Sequence, residues 1–224
     1  MQRFLILSTL VLLVIAQGVA QDPVKVAAKQ CKVVLDNDQV RVLKWVDPPH
    51  VKTPMHFHPA MVSVSFTSDK TRYTYPDGKT KESESKAGQA TWSDPQTHSS
   101  ENLSDVTGEV IQVELKKPAA VATGISASED PVKVDPKHYT VEFQNDRVRV
   151  LRITYGPGEK SVMHAHPDSV AVFLTDGQTK MTLPDGKSSE MPVKRGEARW
   201  EAKGKHLPQN IGSKPFELVL VELK

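Results

Sequence analysis

Six of the eight histidines in this 224-residue chain fall into two copies of one spacing. His56 and His58 sit two apart and His98 follows later; His164, His166 and His206 repeat the arrangement. Residues i and i+2 of a strand share a face, so each H-x-H pair presents two imidazoles side by side. Two buried imidazoles are costly unless something satisfies them. A divalent metal would do so, and a third imidazole from a later strand would complete a facial set of nitrogen donors. Carried onward, the same parity puts Val62 and Val64, and likewise Val170 and Val172, on the histidine face, with Phe57 and Met61 turned away.

Other residues near these pairs have chemistry to offer. Trp92 and Trp200 each precede the third histidine by six residues and either wall the pocket or pack in the core. Asn102 and Asn210 follow that histidine by four, where an amide can brace a turn or reach a ligand. Asp168 shares the histidines' parity in the second copy only, as a candidate general base or a solvated turn residue. Tyr73, Tyr75 and His50 are private to the first copy, so the two pockets are expected to differ in polarity.

The elements that must position these groups are themselves repeated. Asp22–Lys116 aligns with Asp130–Lys224 at a constant offset of 108 without a gap, and roughly 40 of about 95 positions are identical. Such self-similarity reads as two copies of one architecture. No helical period stands out. Short Val-, Ile- and Thr-rich runs alternate with turn signals, including Asn37-Asp38, Asn145-Asp146, Pro76-Asp77-Gly78 and Pro184-Asp185-Gly186. That is an all-β pattern, and seven or eight strands in each copy suggest a double-sheet jelly roll. The expected layout is 1–20 signal peptide, 21–116 first domain, 117–129 linker and 130–224 second domain.

Residues 1–20 combine Arg3, an apolar run and Gly18-Val19-Ala20, the pattern of a cleaved secretory signal. The expectation is a secreted or periplasmic protein with no membrane attachment after cleavage. The single cysteine, Cys31, aligns with Tyr139 and cannot make an internal disulfide. With a formal charge of +2 and no basic stripe, nucleic acid is a poor partner. No C-x-x-C pair, phosphate-cradling loop or nucleophile elbow occurs.

The histidine motifs resemble those of the cupin superfamily over essentially the whole chain beyond residue 20, as two tandem barrels, a bicupin. Gly158 precedes His164-Ala165-His166, and Gly196 leads to His206-Leu207-Pro208-Gln209-Asn210. In the first copy His50 stands where Gly158 would be, and Gly88 leads to His98-Ser99-Ser100-Glu101-Asn102. The family's first motif also carries a metal-binding glutamate; Val62 or Ser63, and Val170 or Ala171, occupy its place. The resemblance implies two cupin-type jelly-roll barrels forming a pseudo-dimer within one chain, each with a three-histidine metal pocket. Fe(II) is the foremost expectation, with Zn, Mn, Cu or Ni as alternatives. Three neutral imidazoles leave the ion's charge uncompensated, so a small anionic or chelating molecule is the expected ligand. Two functions follow: a dioxygenase-like oxidoreductase, or a non-catalytic binding module for a small molecule or metal.

Overall fold

The computed structural model describes residues 21–117 and 125–224; the expected signal peptide and most of the linker lie outside them. The first barrel opens with a one-turn helix, α1 (Pro23–Val26), started by Pro23 and capped by the Asp22 carboxylate, which accepts from Val24 N–H. Nine strands follow: β1 (Cys31–Asp36), β2 (Val40–Asp47), β3 (Lys52–His58), β4 (Met61–Ser65), β5 (Lys70–Thr74), β6 (Thr80–Glu84), β7 (Ala90–Ser93), β8 (Gln96–Asn102) and β9 (Gly108–Leu115). The second barrel repeats this with α2 (Pro131–Val134), β10 (Tyr139–Gln144), β11 (Val148–Tyr155), β12 (His164–His166), β13 (Ser169–Phe173), β14 (Gly177–Thr182), β15 (Ser188–Val193), β16 (Ala198–Glu201), β17 (Gly204–Asn210) and β18 (Phe216–Leu223).

Each barrel is two antiparallel sheets. The five-stranded ones run β1-β2-β9-β4-β7 and β10-β11-β18-β13-β16; the four-stranded ones run β3-β8-β5-β6 and β12-β17-β14-β15. The turn residues act where the sequence placed them. Asn37 Oδ1 accepts from Gln39 and Val40 N–H to close β1 onto β2. Gly78 takes φ 79° between β5 and β6, a conformation with little steric cost only for glycine. His50 is the one non-glycine among the described residues with positive φ (60°), and Gly158 holds φ 74° at the same place in the second barrel.

The five-stranded sheets pack against each other on one face and cover their own pockets with the other. Val42, Val62, Val64, Ile111 and Val113 form one continuous core with Val150, Val170, Val172, Val219 and Val221. Polar ties fasten its edges: Gln39 Nε2 donates to Asp168 Oδ2 (2.7 Å), and Arg195 reaches Glu109 and the Phe66 carbonyl. The interface uses the same patch of both barrels, as a two-fold dimer would.

This arrangement corrects the expected place of Val62 and Val170. They face the neighbouring barrel, and the side chains of these strands that face the pockets are Met61 and Ser63, and Ser169 and Ala171. The chain leaves the four-stranded sheet at His58 and enters the five-stranded one at Met61. Crossing at Pro59-Ala60 slips the alternation by one residue, which exchanges the two faces. Met61 is therefore turned inward, contrary to expectation.

Candidate metal centres

The H-x-H pairs end β3 and β12, and the third histidine lies on the strand hydrogen-bonded beside them. His56 is paired directly across from His98, and His164 from His206. His58 and His166 lie two residues along on the same face. The antiparallel register thus brings each triad together: one donor nitrogen from each ring lies within 4.8 Å of the others. Ring centroids are 4.8 Å apart for His56–His58 and His56–His98, and 4.9 and 5.0 Å for the corresponding pairs of the second barrel.

The tautomers follow from the partners. A carbonyl can only accept, so His56 Nδ1–H donates to the Pro54 carbonyl (2.7 Å) and His164 Nδ1–H to that of Val162 (2.8 Å). His58 Nδ1 meets Glu114 Oε1 at 2.7 Å, and His166 Nδ1 meets Glu222 Oε1 at 2.6 Å. These bonds occupy the outer nitrogens and leave each Nε2 lone pair turned into the triad, the usual preparation of a metal-ligating imidazole. The glutamates are held in turn by Arg41 and Arg149, which also pair with Asp22 and Asp130. A His–Glu–Arg–Asp chain therefore runs behind each centre. Burial outweighs the hydrogen bonds that His166 and Arg149 make to Glu222 individually, yet together with their charges those partners hold its carboxyl below the ordinary range.

The donor set fits a cation and little else within the protein. His58 Nε2, His98 Nδ1 and His164 Nε2 are buried without a hydrogen-bond partner. Each such atom costs about 1–3 kcal/mol unless something fills the place of water. Burial drives His56 and His164 down to about 4, and His98 and His206 to about 3, so all four rings are neutral at neutral pH. Neutral imidazole is the ligating form.

Sequence reasoning named all six histidines but missed Glu114 and Glu222. Their signal was available: a charge inside an apolar run, Val113-Glu114-Leu115, returning as Val221-Glu222-Leu223. It also missed a network private to the second barrel, where Asp135 accepts from Ser161 Oγ and contacts His138 Nδ1 (2.7 Å), and Tyr139 and Tyr155 share a hydroxyl–hydroxyl bond (2.7 Å). Ser161 touches His164 at 3.3 Å.

The remaining candidates sit elsewhere. Asp168 accepts from Gln39 and from Lys203 N–H at the seam between barrels and borders neither pocket, so its role as a base is withdrawn. Its place after the sheet crossing carries it off the histidine face. Trp92 lies across from Val62 and Trp200 across from Val170, and both pack on the shared core, although Trp92 also borders the first cavity. Asn102 and Asn210 brace turns: Asn102 Nδ2 donates to the carbonyls of Asp47 and Val106, and Asn210 Nδ2 to those of Gly156 and Lys214. His50 is exposed and pairs with Asp105, away from the centre.

The cavities above the two triads differ. The first is about 340 Å³ and lined mainly by polar groups; the second is about 70 Å³ and lined mainly by apolar ones. Tyr73 stands beside His98 at 4.9 Å between centroids, and the Trp45 ring lies 5.4 Å from His56.

The model of the cupin domain matches residues 151–222. No curated protein matches the chain. The structure of AerE from Microcystis aeruginosa is 13% identical with TM-score 0.61, covering 87% of this chain and 97% of that one. A single-substitution variant of the oxalate decarboxylase of Bacillus subtilis is 10% identical with TM-score 0.60, covering 86% and 71%. A cupin domain from Bordetella pertussis is 31% identical over 38% of this chain and 91% of its own, with TM-score 0.37. Mn(II) centres are described for the B. subtilis oxalate decarboxylase.

Proposed function

The chain belongs to the cupin family as a tandem two-barrel member, and on that premise we propose that each barrel holds one first-row divalent ion on its three histidines. The observation that carries this is the convergence of three histidine nitrogens in each barrel, with His58 Nε2 and His98 Nδ1 in the first and His164 Nε2 in the second buried without a partner. His56, His58 and His98 would hold one ion, and His164, His166 and His206 the other. Such an ion supplies Lewis-acid or one-electron chemistry on the face the histidines leave open.

The chain's own residues prepare that face. Glu114 and Glu222 hold the Nδ1 protons of His58 and His166, which fixes the ring planes and raises the basicity of the opposite nitrogens. Arg41 and Arg149 hold those glutamates in place by pairing with them. The low pKa values of His56, His98, His164 and His206 keep acid from competing for their lone pairs until well below neutrality. Neutral nitrogen donors do not single out Fe(II); Mn(II), by likeness to the oxalate decarboxylase, is an equal candidate.

The reaction that suits such a centre is oxidoreductase chemistry on a small chelating molecule; capture of the same molecule without turnover is the second reading. Export follows from the signal-like residues 1–20. Elemental analysis of protein purified without tag or chelator, beside the His56→Ala/His164→Ala variant, tests the reading. Two equivalents of metal, absent from the variant, are expected; none after reconstitution with Fe(II), Mn(II), Zn(II), Ni(II) and Cu(II) would refute it.

A further inference from the structure

We propose that only the first barrel accepts a ligand beyond the metal, and that this ligand is a neutral, hydroxyl-rich molecule of monosaccharide or polyol size. The proposal rests on the metal-centre reading, since the ligand would sit against the His56–His58–His98 face.

Room is the first argument. A cavity of about 340 Å³ lies at the lower end of the ~300–1,000 Å³ range of small-molecule sites. The second cavity, about 70 Å³, has space for roughly two waters at ~30 Å³ each. The difference is built by substitution at equivalent positions. Ser63, Ser65, Ser83 and Gln112 line the first cavity; Ala171, Phe173, Met191 and Leu220 line the second. A reciprocal exchange completes the plug. In the first barrel Gly108 leaves a space that the Asp69 carboxylate enters, and a Cβ at Gly108 would collide with it. In the second barrel Phe216 replaces that glycine, and Gly177 replaces the aspartate. The Phe216 ring lies 2.8 Å from where a Cβ at Gly177 would stand, so only glycine admits it.

Hydrogen-bond chemistry is the second argument. Asp47 Oδ1 is buried beside the cavity with no partner, an acceptor awaiting a donor. The serine hydroxyls both donate and accept. Gln112 Oε1 is occupied by Trp45 Nε1–H (2.6 Å), which leaves its NH₂ free to donate. A ligand hydroxyl matches all of these groups, because it too donates and accepts. A carboxylate has no proton to offer Asp47, and a cation offers no acceptor to Gln112.

Charge is the third argument. Asp47, Asp69 and Glu84 face the cavity against one lysine, Lys81. Three carboxylates against one ammonium offset the charge of a divalent ion at its base, so the site gives an anion no net attraction. The expected anionic ligand gives way to a neutral chelator whose adjacent hydroxyls could face the metal.

The test is calorimetric titration of full-length mature protein whose metal content has already been measured. The probes are D-glucose, D-galactose, sorbitol and myo-inositol, set against oxalate, acetate and putrescine. Saturable binding of one or more polyols at one site per chain is expected. Ser65→Phe, and separately Asp69→Gly/Gly108→Phe, should abolish it while both metal equivalents remain, which also shows that the variants fold. Binding of oxalate, acetate or putrescine in place of a polyol, polyol binding that survives Ser65→Phe, or no saturation by any polyol at millimolar concentration would each overturn the proposal. Absence of metal appears in the elemental analysis before any titration, so the two readings fail separately.

Discussion

Around His58 and His166 the two barrels are interchangeable: the same glutamate, arginine and aspartate stand behind each ring in the same order. Above the triads they are opposites, Asp47 against Tyr155 and Gly108 against Phe216. The repeated residues include those that fix the imidazoles and the turns bracing them; the divergent ones touch the space beyond, except at Ser161, which meets His164 in the second barrel alone. Holding a metal and holding a ligand are thus separable tasks on this scaffold. A duplicated barrel can keep the first while losing the second, because the glutamate and arginine behind the histidines are not the residues exchanged in the cavity.

Acid offers the largest test of the shared half. His56, His98, His164 and His206 take up protons in the folded state only near pH 3–4, whereas unfolded chains take them up near pH 6.5. Their contribution is fully present above about pH 6.5 and is lost as pH falls towards 4, at about 1.4 kcal/mol per pH unit for each uncompensated proton. The melting temperature of metal-free protein should fall steeply across that window, and added metal should protect it. A flat profile would mean that the rings are not buried as described.

Asp47 sharpens the contrast, for its sign is opposite and the second barrel has no counterpart. Burial, with Asp69 nearby, raises its carboxyl to about 6. A raised carboxylate destabilises above its folded pKa and is neutral in effect below about 3.8. Asp47→Asn should therefore raise the melting temperature at about pH 7–8, with the gain fading by about pH 4. The repeated glutamates behave alike instead. Glu114→Gln and Glu222→Gln should each weaken metal binding in their own barrel by about 10–100-fold, read by chelator competition. An effect confined to one barrel would break the equivalence.

Much of this was legible in the residues. The offset of 108, the turn dipeptides and the H-x-H spacing led to two barrels and six histidines, because strand period and turn chemistry are local properties. Glu114 was not found because its partner lies 56 residues away, and nothing in Val-Glu-Leu says which ring it will meet. The face assigned to Val62 and Val170 failed because alternation was carried across Pro59-Ala60 and Pro167-Asp168, where the chain changes sheets. The plug in the second barrel was equally hidden: Phe216 and Gly177 lie far apart in sequence, and only the fold makes them one exchange.

That failure yields the smallest and cleanest prediction. If Val62 and Val170 lined the pockets, trimming them would alter ligand or metal binding. Packed between the barrels, they should affect stability alone. Each Val→Ala change removes two buried carbons at about 0.8 kcal/mol apiece, plus a cavity term, so a loss of about 2 kcal/mol is expected from either one. Because the interface presents the same patch from both sides, the two losses should be similar, and metal stoichiometry should stay at two. Asp168→Ala should cost about 2 kcal/mol or less, the worth of its two hydrogen bonds, to Gln39 across the seam and to Lys203 N–H. A larger loss of metal than of stability in any of the three would return these residues to the pocket and undo the separation between holding the ion and joining the barrels.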